Sequence, residues 1–462
     1  MEEPTRNDVF GLGGTASDIA AVEEESQWLR QHFALPFNPF PQSGISPEAP
    51  DGPPLPDEKG QEIDSQIGRF IMSAFKDRVS TKGLAVIGSY GTGKSHLLRL
   101  MHKEITQWLG SGEEKALSIY IQRPRIEAQD VNREILKSLG EDTFRKMLWF
   151  SLRDTIAADA EASSDRLREL RQELQGPLFT NIGDDEFTDV FGPSNLEDYR
   201  TFLAAFDALG LRREALLPYL TEVFVRAVAP TSPLEVAQGC VTLLLSRDDK
   251  ARASWESLLA LGKTRRVPLL AAPDFLEDLL SVFKMNGYVY TFLLIDEFEE
   301  VPSGYLLTRR QKADYMYTMM EVLNRIQKGL CLVLAITPEA WQNLTEVAPP
   351  LQDRIPTTIR LATLGKNSII RLLQFYLGQA RKDGKIEIED HLFPFSEATV
   401  NQIHSSLPAR TPRNILQFSY QVISYCFSNS ITAITPETIK TVLKDFMAMK
   451  SVEAPKRRLD RS

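Results

Sequence analysis

Cysteine and histidine are scarce in this 462-residue chain, at three and five, and that scarcity removes two classes of function. Cys240, Cys331 and Cys426 lie far apart in apolar surroundings without ligand spacing. Neither a disulfide framework nor a thiolate metal site is expected, and buried free thiols suit a reducing cytoplasm. No two histidines stand at zinc spacing. No apolar run reaches the roughly 18 residues that a membrane-spanning helix requires, and the opening Met1-Glu2-Glu3-Pro4-Thr5-Arg6 lacks the basic and apolar regions of an export signal, so no membrane partner is expected. An excess of positive charge is missing too. With 53 Lys and Arg against 62 Asp and Glu, the net charge is −9, which excludes a surface that neutralises nucleic acid over its whole extent but not local basic patches. The remainder, 43% hydrophobic and 25% charged, is ordinary for a globular protein. The length exceeds the ~250–300 residues at which a single core stops growing, so two or three units are expected.

One stretch stands out against this background. Gly88-Ser89-Tyr90-Gly91-Thr92-Gly93-Lys94-Ser95 fits the phosphate-binding pattern G-x-x-x-x-G-K-[ST] and follows the apolar run Leu84-Ala-Val-Ile87. In such a loop the glycines let backbone N–H groups converge on phosphate oxygens, Lys94 reaches the β- and γ-phosphates, and the Ser95 hydroxyl holds Mg²⁺. Leu97, Leu98, Met101, Ile105 and Leu109 then recur at helical spacing up to Gly110, so strand, loop and helix come in the required order. His96, beside the loop, is expected to face solvent or the edge of a nucleotide. The competing reading, a glycine-rich turn without a ligand, leaves the lysine unexplained.

Further chemistry stands at the ends of two later apolar runs. Tyr288 to Ile295 reads as a strand buried on both faces and ends in Asp296-Glu297, an acidic pair suited to holding Mg²⁺ (Asp296) and orienting water (Glu297). On its own this pair could equally open a solvated loop. Leu330 to Ile336 reads as another strand and ends in Thr337-Pro338. The Thr337 hydroxyl is placed to meet the γ-phosphate or attacking water, to cap the helix that follows, or both. Arg354, in Leu351-Gln-Asp-Arg354-Ile355, precedes the strand-like Thr357 to Leu361, and Arg413 opens a helix after Thr411-Pro412. Each arginine is either a partner for transferring phosphate or a plain surface residue.

Taken in order, GSYGTGKS, LLIDE, LAIT, LQDRI and TPRN resemble the Walker A, Walker B, sensor 1, arginine-finger and sensor 2 elements of the AAA+ ATPases. Within that superfamily the chain is most similar to the initiator-like group, which includes origin-recognition ATPases and ATPase regulators of transposition. A Gln61-Glu62-Ile63 helix ahead of the Walker A strand, the threonine as sensor 1 and the proline-arginine pair opening a lid helix carry this likeness. The form GSYGTGKSH also resembles ATPases of phage-defence systems. The resemblance covers roughly residues 58–140 and 285–448. It implies an α/β fold, a P-loop NTPase three-layer parallel-sheet core, with a C-terminal helical lid. It also implies ATP and Mg²⁺ as cofactors and an ATP-dependent homo-oligomer in which Arg354 acts in the neighbouring subunit's site and Arg413 couples the lid to nucleotide state.

The chain departs from that pattern in its middle. Lys94 and Asp296 are about 200 residues apart, and residues 141–284 read as successive amphipathic helices, an all-helical insertion expected to bind a partner protein. Its stripes are Phe144, Met147, Leu148, Phe150 and Leu152; Phe202, Phe206 and Leu209; Val236, Val241, Leu244 and Leu245; and Phe275, Leu279, Leu280 and Phe283. The expected division is therefore 1–57, a helix and a proline-rich segment; 58–140 and 285–363, the two parts of the core; 141–284, the insertion; 364–450, the lid; and 451–462, a basic tail. In the first segment Ile19, Val22, Trp28, Leu29 and Phe33 form the apolar side of a helix over 17–33. The prolines that follow enforce extended chain. That chain either runs along the ATPase with Phe37 or Phe40 as an anchor or is a disordered tether.

Basic residues at Arg309, Arg310 and Lys312, in a region that faces the central channel of ring-forming relatives, are candidate nucleic-acid contacts; Lys263, Arg265, Arg266 and the tail from Lys456 to Arg461 are similar cases. A solvated helix start is the alternative. No winged-helix domain is readable after the lid, which favours a regulator working with other proteins over an autonomous origin binder. Three functions remain open: a nucleic-acid motor or loader in defence, transposition or replication-type loading; an ATP-assembled signalling platform; and a non-catalytic nucleotide-binding scaffold, disfavoured because both acidic residues are present.

Overall fold

A computed structural model gives the fold of residues 16–43, 63–77, 82–122, 124, 130–161, 169–172, 184–228, 233–261, 273–303, 308–326 and 328–453. Gln61 and Glu62, the proline-rich stretch from residue 44, the basic residues Lys263, Arg265 and Arg266, and the tail beyond 453 lie outside the described residues.

In chain order, α1 (Ala16–Phe33) and α2 (Ile63–Lys76) lead to β1 (Lys82–Ile87), α3 (Lys94–Leu109) and β2 (Lys115–Ile121). A helical stretch follows: α4 (Asp130–Leu139), α5 (Glu141–Glu161), α6 (Tyr199–Ala208), α7 (Leu217–Ala227), α8 (Leu234–Leu245), α9 (Asp248–Ala260) and α10 (Pro273–Met285), with shorter turns between. Then come β3 (Tyr288–Ile295), α11 (Arg309–Arg325), β4 (Leu330–Ile336), α12 (Pro338–Val347) and β5 (Thr357–Arg360). The helices α13 (Lys366–Gly384), α14 (Glu397–Ser406), α15 (Pro412–Ser428) and α16 (Pro436–Glu453) close the described chain. These elements form two compact units: a sheet unit of residues 65–88 and 94–359, and a helical unit that joins described residues of 1–64 to 89–93 and 360–462.

The sheet has the order β2-β3-β4-β1-β5, with β1 parallel to β4, β4 to β3 and β3 to β2. Sequence explains the layering. The inner strands are near-continuous apolar runs, and every residue of β4 is buried, as a strand covered on both faces demands. At one edge β2 instead alternates, with Ala116, Ile119 and Ile121 buried between half-exposed neighbours. Because the connection leaving β1 runs to the far side of β4 and the one leaving β4 runs to β5, the strand order reverses between β1 and β4. Ligands of open α/β sheets bind at such a reversal, outside the carboxyl ends of the strands.

The inserted helices share one continuous core with a face of the sheet. In that core the Trp149 indole N–H donates to the Leu196 carbonyl at 3.0 Å. Arg145, buried, donates to the Ser246 carbonyl at 2.6 Å and lies 4.7 Å from the Tyr199 ring centroid. The expected stripes are buried or partly buried except at Phe150, which is 39% exposed with the Arg153 guanidinium 3.9 Å above its ring. At about 100° per residue, position 150 falls away from the face that Phe144, Leu148 and Leu152 share.

The helical unit has its own core, built by α13 to α16, and the N-terminal segment is part of it. Leu29, Phe33, Leu35 and Phe40 are buried in that cluster. The Phe40 ring packs edge-on to Phe395 at 6.0 Å. The buried guanidinium of Arg381 donates to the carbonyls of Ala34, His391 and Phe393, and the Asn38 amide donates to the Tyr420 carbonyl at 3.1 Å. Residues 28–43 are therefore a strap across this helical core, with Phe40 as its anchor, whereas Phe37 is 50% exposed. Val22 is 66% exposed, contrary to the expected apolar side of α1, because only the last turns of that helix reach the core.

Candidate nucleotide site

The site is assembled where β1, β3 and β4 end. Gly88, the first residue after β1, donates its N–H to the Ile336 carbonyl at the tip of β4, at 3.1 Å. Thr337 follows directly. Phe298, two residues beyond the acidic pair, donates its N–H to the Ala335 carbonyl at 3.0 Å, so the three strand ends are tied at one edge of the sheet unit.

Lys94 opens α3 and is 7% exposed. Its Nζ donates to the Gly88 carbonyl at 2.9 Å and lies 3.5 Å from Oε1 of Glu299. Ser95 and His96 follow in the first turn, half-buried. Asp296 is buried with both carboxylate oxygens engaged. Oδ2 accepts from the Tyr120 hydroxyl at 2.8 Å, and Oδ1 accepts from the Glu297 N–H at 2.9 Å. Burial and the facing Asp296 charge push the Tyr120 phenol well above its ordinary range, so it stays a donor. Glu297 is half-buried and sits at φ +50, a left-handed conformation that costs a non-glycine residue of order 1–3 kcal/mol and clusters at functional sites. The Thr337 hydroxyl oxygen accepts from the Ala340 N–H at 3.3 Å and so caps α12. A hydroxyl that accepts in this way keeps its own proton free to donate.

Within the helical unit the loop residues 89–93 pack with the start of α15. The Thr92 hydroxyl and N–H both donate to the Ser89 carbonyl, at 2.8 and 3.3 Å, and Ser89 and Tyr90 are exposed. Gly91 and Gly93 stand at φ +80 and +101. A Cβ on Gly91 would come 2.9 Å from Cβ of Arg413 and 3.1 Å from Oγ1 of Thr411, and the Arg413 N–H donates to the Gly91 carbonyl at 3.3 Å. The backbone of this loop is thus closely approached, as a phosphate cradle is.

The remaining expected residues lie elsewhere. Arg354 is exposed; its carbonyl lies against Gly83, where a Cβ would come within 2.8 Å. That places it beside the amino end of β1, whereas the phosphate loop leaves the carboxyl end. Arg309 and Arg310 are exposed in the first turn of α11, Lys312 is half-buried there, and Arg310 approaches Asp314 at 3.9 Å.

Two residues were not anticipated. Tyr120 comes from β2, and Glu299 from an acidic run that reads as solvated loop. Glu299 is 5% exposed, and its Oε2 is buried without a hydrogen-bond partner among the described residues. Desolvation raises the pKa of this carboxyl above the usual carboxylate range, with the Lys94 charge opposing. The faint signal for Glu299 is an acidic residue set between Phe298 and Val301, both buried.

The donor set fits Mg²⁺ delivered with a triphosphate. No group of three or more His, Cys, Asp or Glu able to hold a metal occurs among the described residues. One hydroxyl, Ser95, and one carboxylate, Asp296, suit a hard cation that keeps waters and takes its other ligands from phosphate. No helix among the described residues is long and apolar enough to cross a membrane.

No protein-family model matches the chain. It is 28% identical over 117 residues to an uncharacterized HTH-type transcriptional regulator of Methanocaldococcus jannaschii; the match covers 25% of this chain and 27% of that one, so the chain spans about a quarter of that relative's length. Among solved structures it is similar to the ORC2 protein of Aeropyrum pernix in ADPNP–ADP complexes, at 10% identity and a TM-score of 0.44, covering 87% of this chain and 73% of that one. It is also similar to Drosophila ORC bound to DNA, at 12% identity and a TM-score of 0.43, covering 98% and 72%. A third is Cdc6p from Pyrobaculum aerophilum, at 12% identity and a TM-score of 0.38, covering 88% and 71%. The fold of this chain is the α/β fold of a P-loop protein, a parallel sheet whose first strand feeds a glycine-rich loop and helix.

Proposed function

We propose that the chain is an ATP-hydrolysing AAA+ protein of the initiator-like group that assembles through ATP at subunit interfaces and drives or regulates a nucleic-acid transaction. The observation that carries this reading is the convergence of Lys94, Asp296, Glu297 and Thr337 on one edge of the sheet unit, at the reversal of strand order. Gly88 to Ser95 would hold the phosphates, and Ser95 with Asp296 would hold the metal, which supplies neutralisation of phosphate charge. Tyr120 pins Asp296 in place. Glu297, half-buried beside Asp296, would take a proton from water, and Thr337 has a proton to donate towards a phosphate oxygen. Arg413, whose backbone meets Gly91, is the lid residue through which nucleotide state would be read.

Nucleic acid is the proposed object of the work because of α11. Two exposed arginines occupy its first turn, where the helix dipole disfavours positive charge, and such a placement suits an anionic partner. The outer face of the inserted helices is the proposed site for a partner protein.

The test is nucleotide binding and turnover of the wild-type chain, Lys94→Ala and Glu297→Gln, with and without duplex DNA over a range of salt. Lys94→Ala is expected to lose ATP binding. Glu297→Gln is expected to bind ATP and lose turnover by roughly 10²–10⁴. DNA is expected to raise turnover, with the effect fading as salt rises. Parental affinity and turnover in Lys94→Ala would remove the ATPase reading. ATP-dependent assembly indifferent to DNA would put an effector platform in place of the nucleic-acid role.

A further inference from the structure

Glu299 has no part in the reaction outlined above, yet it is the carboxylate that Lys94 meets. Their side chains are 5% and 8% exposed with Oε1 3.5 Å from Nζ, and the second oxygen of Glu299 is buried without a partner among the described residues. Asp296 already accepts at both oxygens, from the Tyr120 hydroxyl and the Glu297 N–H. A buried ammonium group without a counter-charge is strongly unfavourable. In this arrangement the counter-charge comes from Glu299, three residues past Asp296 in the same turn that carries Glu297.

We propose that Glu299 is the internal counter-ion on which Lys94 rests before a nucleotide arrives, so that Glu299 and nucleotide phosphate compete for one ammonium group and Glu299 sets the affinity of the site. This rests on reading Lys94 as the phosphate-binding lysine. An ammonium group has three protons to donate, and one is given to the Gly88 carbonyl. When phosphate oxygens take the position facing Nζ, the pair with Glu299 has to loosen, and a buried carboxylate is left near an anion. Both effects oppose binding. Glu299 is therefore a positioning residue that acts through Lys94, and its neutral isostere should give a tighter site, which damage to the fold would not.

Two measurements on the full chain test this. In the first, ADP is titrated calorimetrically into the wild type, Glu299→Gln, Lys94→Ala and the double variant. Glu299→Gln is expected to bind about tenfold more tightly than wild type, and the gain is expected to vanish when Lys94 is already absent. In the second, Lys94 of the nucleotide-free chain is modified with an amine-reactive reagent and quantified by peptide mass spectrometry. Labelling is expected to be faster in Glu299→Gln than in wild type and to be suppressed by ADP in both. Equal or weaker ADP binding by Glu299→Gln, a gain that persists without Lys94, or unchanged labelling would each overturn the proposal while leaving the nucleotide site intact. Binding by Lys94→Ala at the wild-type level, or labelling that ADP does not suppress, would overturn the nucleotide reading and the competition with it.

Discussion

Gly91 is where the phosphate loop tolerates no side chain. Its φ of +80 disfavours any L residue, and an added methyl would meet Cβ of Arg413 at 2.9 Å, a backbone-anchored atom that cannot swing aside. Gly91→Ala is expected to lower stability by about 1–3 kcal/mol and to weaken ADP binding with it, as read from urea midpoints and calorimetry. Wild-type values in both would show that the loop relaxes away from α15. Tyr120 carries a different load. Tyr120→Phe removes the donor to a buried carboxylate, and the loss is expected to be about 1.5–3 kcal/mol in the ligand-free chain; an unchanged urea midpoint would mean that Asp296 finds another donor. The glycine pattern and Lys94 were legible because eight consecutive residues contain them. Tyr120 was not, since its partner lies 176 positions away, and neither was Glu299, whose burial is produced by the fold around it rather than by its neighbours in sequence.

At the scale of elements, legibility followed burial on both faces. The bounds of β3 and β4 coincide with their apolar runs, because a strand covered by helices on either side admits almost no polar residue until the loop begins. A helix with one buried face is less constrained. Periodicity placed Val22 and Phe150 on apolar sides, and both are exposed, since period alone does not say how far along a helix the covering surface extends. The strap of residues 28–43 was the least legible. Prolines forbid helix and sheet there, but nothing local shows that Leu35 and Phe40 have a core waiting for them. Phe40 and Phe37 of the strap give a paired prediction. Phe40→Ala deletes a buried ring packed against Phe395 and Tyr376 and is expected to cost about 3–5 kcal/mol, whereas Phe37→Ala, half-exposed, is expected to stay within about 0.5 kcal/mol. Urea unfolding followed by tryptophan emission reads both, because Trp28 lies 5.1 Å from Phe33 in the same packing. Equal costs would mean that the strap is held by its hydrogen bonds with Arg381 and Tyr420 rather than by its anchor.

At the scale of the molecule the question is whether one chain is enough. Arg354 is exposed, with its backbone against Gly83, and from Gly83 to Gly88 the extended strand rises by roughly 16 Å. An arginine at the amino edge of the sheet is thus remote from Gly88 at the other end of β1, while its exposure leaves it free to enter a neighbour's site. If it completes the neighbouring site, nucleotide and assembly are linked, and turnover per chain should rise with protein concentration as subunits associate. Size-exclusion chromatography with light scattering on Glu297→Gln is then expected to show larger species with ATP than with ADP, and Glu297→Gln combined with Arg354→Ala should remain the smaller species with either. Arg354→Ala alone should bind ADP as the parent does, because the residue is absent from its own site, yet lose about 10³-fold or more in turnover, the scale of a supplied arginine. Assembly unaffected by the substitution would take Arg354 out of the interface. Weakened ADP binding by the isolated chain would instead place it in the site of its own subunit, against the separation that β1 imposes.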